Sequence, residues 1–337
     1  MAHYRAGTET LIRSLRDLRV SREGRPVLGE PPRGVPENVI RSTLLERAHG
    51  ARRLVREKLG SRRRSRFLDQ FRLDPDTLPR PLTPPGEGDF IICGCPRTGT
   101  TLLCAALFQP PAVITVSEPW EGMNLPPDAL FAHIRAEIGA AGRLQQGRLD
   151  LKTLVETGKV RWCEEGKTAR PVELIEDYLL GVKWPAFWRY VELLPQTKFL
   201  LCVRDPFEVV NSFKNASGRL SKGLDHEIPF NARMNQDLRS RTADVALRWV
   251  LLSDYINQRM LPYLNRSSVF TVRYERWFTD REALMQELSS FLGAKLTPGP
   301  AILHPPKRLT LTDRELALVR AHCTTAEPLG YSLDQYR

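Results

Sequence analysis

From Asp89 onward, short runs of consecutive apolar residues alternate with stretches whose apolar positions recur every three or four residues. Phe90-Ile91-Ile92-Cys93 is the first such run. Leu102, Leu103, Ala106 and Leu107 follow at helical spacing. Ala112 to Val116 makes a second run, Lys198 to Val203 a third and the clearest, and Val269 to Val272 a fourth. Helical stretches lie between and after them, at 206–215, 242–261 and 280–292. Short, fully apolar strands between helices predict a parallel sheet covered on both faces. Ligands of such sheets bind beyond the carboxyl ends of the strands, where each informative motif begins.

Residues 1–88 differ in character. Leu44, Ala48, Ala51, Val55 and Leu59 recur at helical spacing and predict an amphipathic helix over 43–59. Pro75, Pro79, Pro81, Pro84 and Pro85 cannot continue a helix and make a linker. The expected organisation is a helical, basic extension with a proline-rich linker over 1–88, then one α/β domain over 89–337.

The net charge of +11 points to anionic partners. Part of the surplus sits before residue 70, as at Arg62, Arg63, Arg64 and Arg66, and reads as a solvated basic arm. Tyr4, Phe67 and Phe71 are the scattered aromatics of that arm, too few to stack bases, so no nucleic-acid partner is expected. No apolar run approaches the ~20 residues of a membrane span. The charged N-terminus does not read as a secretory signal, so a cytoplasmic protein is expected. None of the six cysteines forms a C-x-x-C pair and no zinc-type spacing appears. Cys93 and Cys202 lie in strand runs, as buried free thiols in a reducing compartment would. No metal site is expected.

The chemistry begins at Gly94-Cys95-Pro96-Arg97-Thr98-Gly99-Thr100-Thr101, which follows the first strand and opens a helix. Strand, glycine-bounded loop and helix together make a phosphate loop. Backbone N–H groups of the loop and first helical turn converge at the positive end of the helix dipole. The ATP-binding version ends Gly-Lys-Ser/Thr, whereas this one ends Gly-Thr-Thr. Arg97 supplies the cation from inside the loop, and a guanidinium forks onto two oxygens of a phosphate or sulfonate. A P-loop kinase is the rival reading, and the missing lysine counts against it.

A second anchor follows the third strand. Arg204 ends that strand and Ser212 lies eight residues on, in the next helix. A strand-end arginine and a hydroxyl two turns into a helix can converge on a second anion.

The loop resembles the 5′-phosphosulfate loop of the sulfotransferases that use 3′-phosphoadenosine 5′-phosphosulfate (PAPS). Pro-Arg-Thr-Gly-Thr-Thr-Leu-Leu looks most like the bacterial and Golgi-type branches. Arg204 and Ser212 are similar to that family's 3′-phosphate motif. Val272-Arg273-Tyr274-Glu275 resembles a Tyr-Glu pair of the family, which would set Tyr274 near the adenine. The resemblance runs from about residue 89 to 331. It implies a P-loop-like fold, a nucleotide donor, and transfer of a sulfonyl group to a hydroxyl of an acceptor that the sequence does not name. Arg97, Thr98, Gly99, Thr100, Thr101, Arg204, Ser212 and Tyr274 would then bind the donor.

Such a transfer needs a base for the hydroxyl proton and cations for the charge developing on oxygen. Ser117-Glu118-Pro119-Trp120-Glu121 follows the second strand. The resemblance offers two candidates for the base. Glu118 matches by its distance of 21 residues from Arg97, and Glu121 by the local Glu-Pro-x-Glu pattern. His133 lies too far along the chain. Lys183, in Gly-Val-Lys-Trp-Pro, matches a lysine that points into the family's active site, where with Arg97 it would stabilise the bridging oxygen. Residues 217–241 resemble a substrate-covering segment, with His226, Phe230 and Met234 as pocket candidates.

Overall fold

The computed structural model describes residues 82–123, 125–145, 147–157, 161, 163, 169–225, 231–298 and 308–336. The expected helix over 43–59 and most of the proline-rich linker lie outside the described residues.

Seven strands are described: β1 (Phe90–Gly94), β2 (Val113–Ser117), β3 (Arg143–Gln145), β4 (Ala169–Pro171), β5 (Leu179–Lys183), β6 (Lys198–Val203) and β7 (Val269–Arg273). The helices are α1 (Thr100–Ala106), α2 (Pro127–Ala141), α3 (Leu151–Thr157), α4 (Pro206–Lys214), α5 (Ala232–Arg241), α6 (Val245–Met260), α7 (Arg276–Thr279), α8 (Arg281–Leu292) and α9 (Asp313–His322). Five strands form one sheet in the order β2-β5-β1-β6-β7, and every pairing in it is parallel. β3 and β4 form a separate antiparallel pair.

Strand alternation sends successive side chains of β1 to opposite faces. Phe90 and Ile92 join Leu200 and Cys202 in a core that includes residues of α1 and α8. Ile91 and Cys93 join Leu201 in a larger core with residues of α2, α4, α6 and α9. Both faces of the sheet are therefore dry, which is why its strands carry unbroken apolar runs.

β1, β6 and β7 fall where the apolar runs predict them, and β2 is displaced by one residue. The helix expected over 242–261 begins at Val245, because the Asp244 side chain accepts the Ala246 N–H at 3.0 Å and caps it. The sheet has one strand more than the sequence reading found. Leu179-Leu180-Gly181-Val182-Lys183 lies between β2 and β1, and its central glycine and terminal lysine hid the apolar run. Lys183 ends that strand and is followed by a 3-10 turn over Pro185–Tyr190.

Candidate active site

The loop after β1 closes on itself through Thr98, whose N–H and hydroxyl both bond to the Cys95 carbonyl, at 3.3 and 2.7 Å. Arg97 sits in the left-handed region at φ 76, a strained conformation for a residue with a side chain. Gly99 caps α1 at φ 95. A Cβ there would meet the Tyr274 ring at 2.5 Å, so only glycine allows loop and ring to approach this closely. Thr100, buried, opens α1, and Thr101 follows half-buried.

Across β1 lies the end of β6. Asp205 turns the chain into α4: its carboxylate accepts the Phe207 and Glu208 N–H groups, and Pro206 occupies the first helical position. That cap fixes where Ser212 emerges, two turns on. Ser212 Oγ accepts a hydrogen bond from Arg97 Nε at 2.8 Å. Arg204 Nη1 donates to the Arg97 carbonyl at 3.2 Å, and its Nη2 pairs with Glu208 at 2.9 Å. The Arg204 guanidinium lies 4.0 Å above the Tyr274 ring, a cation–π stack. Two motifs 107 residues apart thus form one cluster of Arg97, Gly99, Arg204, Ser212 and Tyr274.

The cluster sets two guanidiniums side by side, that of Arg204 buried and that of Arg97 on a side chain still exposed to solvent. Burial, and then the charge of Arg204, lower the Arg97 pKa from its ordinary value. Arg204 Nε is buried with no hydrogen-bond partner. Two adjacent guanidiniums, one with an unsatisfied donor, make a site whose physical complement is an anion. Glu275 braces the cluster from behind, accepting the Asp205 N–H and the Tyr331 hydroxyl, each at 2.9 Å. Gln335 also bonds to Asp205. Burial and the Glu275 carboxylate push the Tyr331 phenol well up, so it stays a donor.

The second group of predicted residues gathers at the ends of β2 and β5. These strands are paired so that Ser117 lies opposite Lys183. Glu118 takes the left-handed conformation at φ 50, and its N–H bonds to the Lys183 carbonyl at 2.8 Å. The two side chains then meet as an ion pair between Lys183 Nζ and Glu118 Oε1. Lys183 is 2% exposed. Glu121 falls in the 3-10 turn Trp120–Met123, and its carbonyl accepts the Leu125 N–H.

Arg148 is the residue the sequence reading missed. Its N–H bonds to the Ser117 carbonyl at 2.9 Å, and Gly147 bridges to Ser117. A Cβ on Gly147 would meet the Ser117 carbonyl oxygen at 2.3 Å, so a glycine is needed for this approach. The Arg148 guanidinium stacks on Trp120 and Trp184, at 4.8 and 5.4 Å, and reaches 4.0 Å from Glu118 Oε2. Glu118, Arg148, Trp184, Asp225 and Asn231 line a recess beside the ion pair. Nothing in the motif spacing marked Arg148, because the loop that carries it touches β2 only through the fold.

The other candidates are placed elsewhere or lie outside. Met234 is buried in the larger core. His133 is on α2 beside Glu137, at 3.5 Å. His226 and Phe230 lie outside the described residues.

The family model described as "Sulfotransferase family" matches residues 89–298, more than half of the chain. The chain belongs to the sulfotransferase family. The match spans β1 through the end of α8, and so takes in both clusters of this sulfotransferase. Comparison with curated proteins gives no match. Similar solved structures include a sulfotransferase from Alicyclobacillus acidocaldarius, with 14% identity, 74% of this chain and 95% of that one covered, and a TM-score of 0.42. Another is a sulfotransferase from Mycobacterium avium, with 16% identity, 74% and 79% covered, and a TM-score of 0.41. A mouse sulfotransferase complexed with PAP (adenosine 3′,5′-bisphosphate) shares 13% identity over 71% of this chain and 65% of that one, with a TM-score of 0.33. Among the described residues, no helix of this sulfotransferase is long and apolar enough to cross a membrane. None of their His, Cys, Asp and Glu side chains form a group that could hold a metal ion.

Proposed function

We propose that this sulfotransferase moves a sulfonyl group from PAPS to a hydroxyl of its acceptor. The observation that carries the reading is the joined pair of anion anchors: Arg97 on the loop, bonded to Ser212, with Arg204 beside it. A nucleotide with phosphates at both ends of its ribose asks for such a pair. The residues fit it, since the buried, unpartnered Arg204 Nε awaits an acceptor. Arg204 and Ser212 would hold the 3′-phosphate. Arg97, Thr98, Gly99, Thr100 and Thr101 would hold the 5′ end, and Tyr274 would flank the adenine.

The donor supplies the sulfonyl group and leaves as adenosine 3′,5′-bisphosphate (PAP). Glu118 takes the proton from the acceptor hydroxyl as that oxygen bonds to sulfur. Lys183 and Arg97 supply the positive charge for the oxygen that sulfur leaves. Glu118 is favoured over Glu121 because its carboxylate already meets Lys183.

The test is incubation of the protein with a cell extract and ³⁵S-labelled PAPS. Label should pass to a metabolite only in the presence of the protein. Labelled product that forms equally without the protein contradicts the reading.

A further inference from the structure

In the structure two cations share Glu118. Lys183 meets Oε1 and Arg148 lies 4.0 Å from Oε2. They differ in how they are held. Arg148 is fixed from two sides, by its backbone bond to Ser117 and by stacking on Trp120 and Trp184. Glu118 is fixed by its own backbone bond to the Lys183 carbonyl. Lys183 reaches Glu118 on a flexible four-carbon stem with a compact, rotatable ammonium group. The arginine head is held by its ring stacks, whereas the lysine head, buried at the end of β5, can turn on its stem.

We propose that Arg148 is a positioning residue that holds Glu118 from its second oxygen, so that Lys183 can pass from Glu118 to the sulfonate of the donor. The proposal rests on the reading of PAPS as donor. With the sulfonate in place, Lys183 no longer caps the carboxylate, and Glu118 stays aimed through Arg148. Without Arg148, Oε2 loses that counter-charge, and the carboxylate holds Lys183 more tightly. The sulfonate then competes with a half-buried carboxylate for the lysine head.

PAP lacks the sulfonate, so the ratio of PAPS to PAP affinity isolates this exchange, and no acceptor is needed. The measurement is calorimetric binding of each nucleotide to the full chain. Arg148→Met should lower the PAPS:PAP ratio by roughly three- to tenfold, with PAP affinity near native. Arg148→Lys should keep the ratio near native. Glu118→Gln should raise the ratio, because Lys183 is released. The double variant Glu118→Gln/Arg148→Met should match Glu118→Gln alone, since Arg148 acts through Glu118.

An unchanged ratio in Arg148→Met overturns the proposal. So does a lowered ratio that persists in the double variant, which would mean that Arg148 acts on the sulfonate directly. If Arg148→Met loses PAP binding, Arg148→Gln replaces it in both arms. If the native protein binds neither nucleotide, the donor assignment itself fails, and the proposal falls with it.

Discussion

Arg97 Nε donates a hydrogen bond to Ser212 Oγ at 2.8 Å, joining the loop after β1 to the second turn of α4. Neither motif alone distinguishes a nucleotide site from an ordinary strand-to-helix turn. The bond makes them one site, and parallel pairing of β1 with β6 is what allows it. Cys93 pairs with Leu201 and Gly94 with Cys202, so Arg97 and Arg204 leave the same edge of the sheet.

The proposed base is tested by paired variants. Glu118→Gln keeps size and removes the proton acceptor. Turnover should fall by about 10²–10⁴-fold, with PAP affinity near native. Glu121→Gln should remain near native. Steady-state assays of both with an acceptor from the label-transfer screen decide the matter. The reverse result moves the role to Glu121.

Gly99 is expected to tolerate no side chain. Gly99→Ala places a Cβ 2.5 Å from the Tyr274 ring in a backbone conformation at φ 95. Stability should fall by about 1–3 kcal/mol in urea unfolding. Adding Tyr274→Ala should recover the part due to the ring and leave the part due to the backbone.

Glu315 makes stability depend on acid pH. Burial alone would raise its pKa, but the hydrogen bonds from Lys214 and Thr312 outweigh burial and hold it below the ordinary value. A carboxyl lowered by folding stabilises the protein above its unfolded pKa, and the contribution is lost as pH falls through the folded one. Glu315→Gln should therefore be less stable than native at pH 7. The gap should close as pH falls from about 5 toward about 3, as thermal unfolding across that range would record. A gap independent of pH would show that shape, not charge, matters at this cap.

The cysteines give a check on packing. Burial raises the thiols of Cys93, Cys95, Cys104, Cys202 and Cys323, with Cys104 pushed up to about 12 and Cys323 to about 11. Cys163 is the half-buried exception among the six. At pH 8 a thiol reagent should label Cys163 in the folded protein and the other five only in denaturant. Mass spectrometry of labelled peptides reads this directly.

The sequence and the structure agree where information is local. Phe90 to Cys93 and Phe199 to Val203 are buried on both faces, so their apolar runs announce them. Asp205 before Pro206 announces the start of α4. β5 was hidden because its role depends on neighbours: Lys183 ends a central strand although a lysine there reads as a surface residue. Only the fold shows that Ser117 pairs with Lys183, which sets Glu118 against it. Arg148 is less legible still, since its place depends on Gly147 approaching the Ser117 carbonyl. Glu118 was proposed from its spacing and Arg97 from the loop motif, but their left-handed backbones were not foreseeable from composition.

The donor assignment is tested most directly by comparing PAP and AMP binding to the native protein in a calorimeter. PAP differs from AMP by the 3′-phosphate, the group assigned to Arg204 and Ser212. PAP should bind at least about tenfold more tightly, as one charge-assisted contact contributes ~1.5–3 kcal/mol. Arg204→Ala should abolish that preference and leave AMP affinity little changed. Equal affinity of the native protein for the two nucleotides would contradict the account.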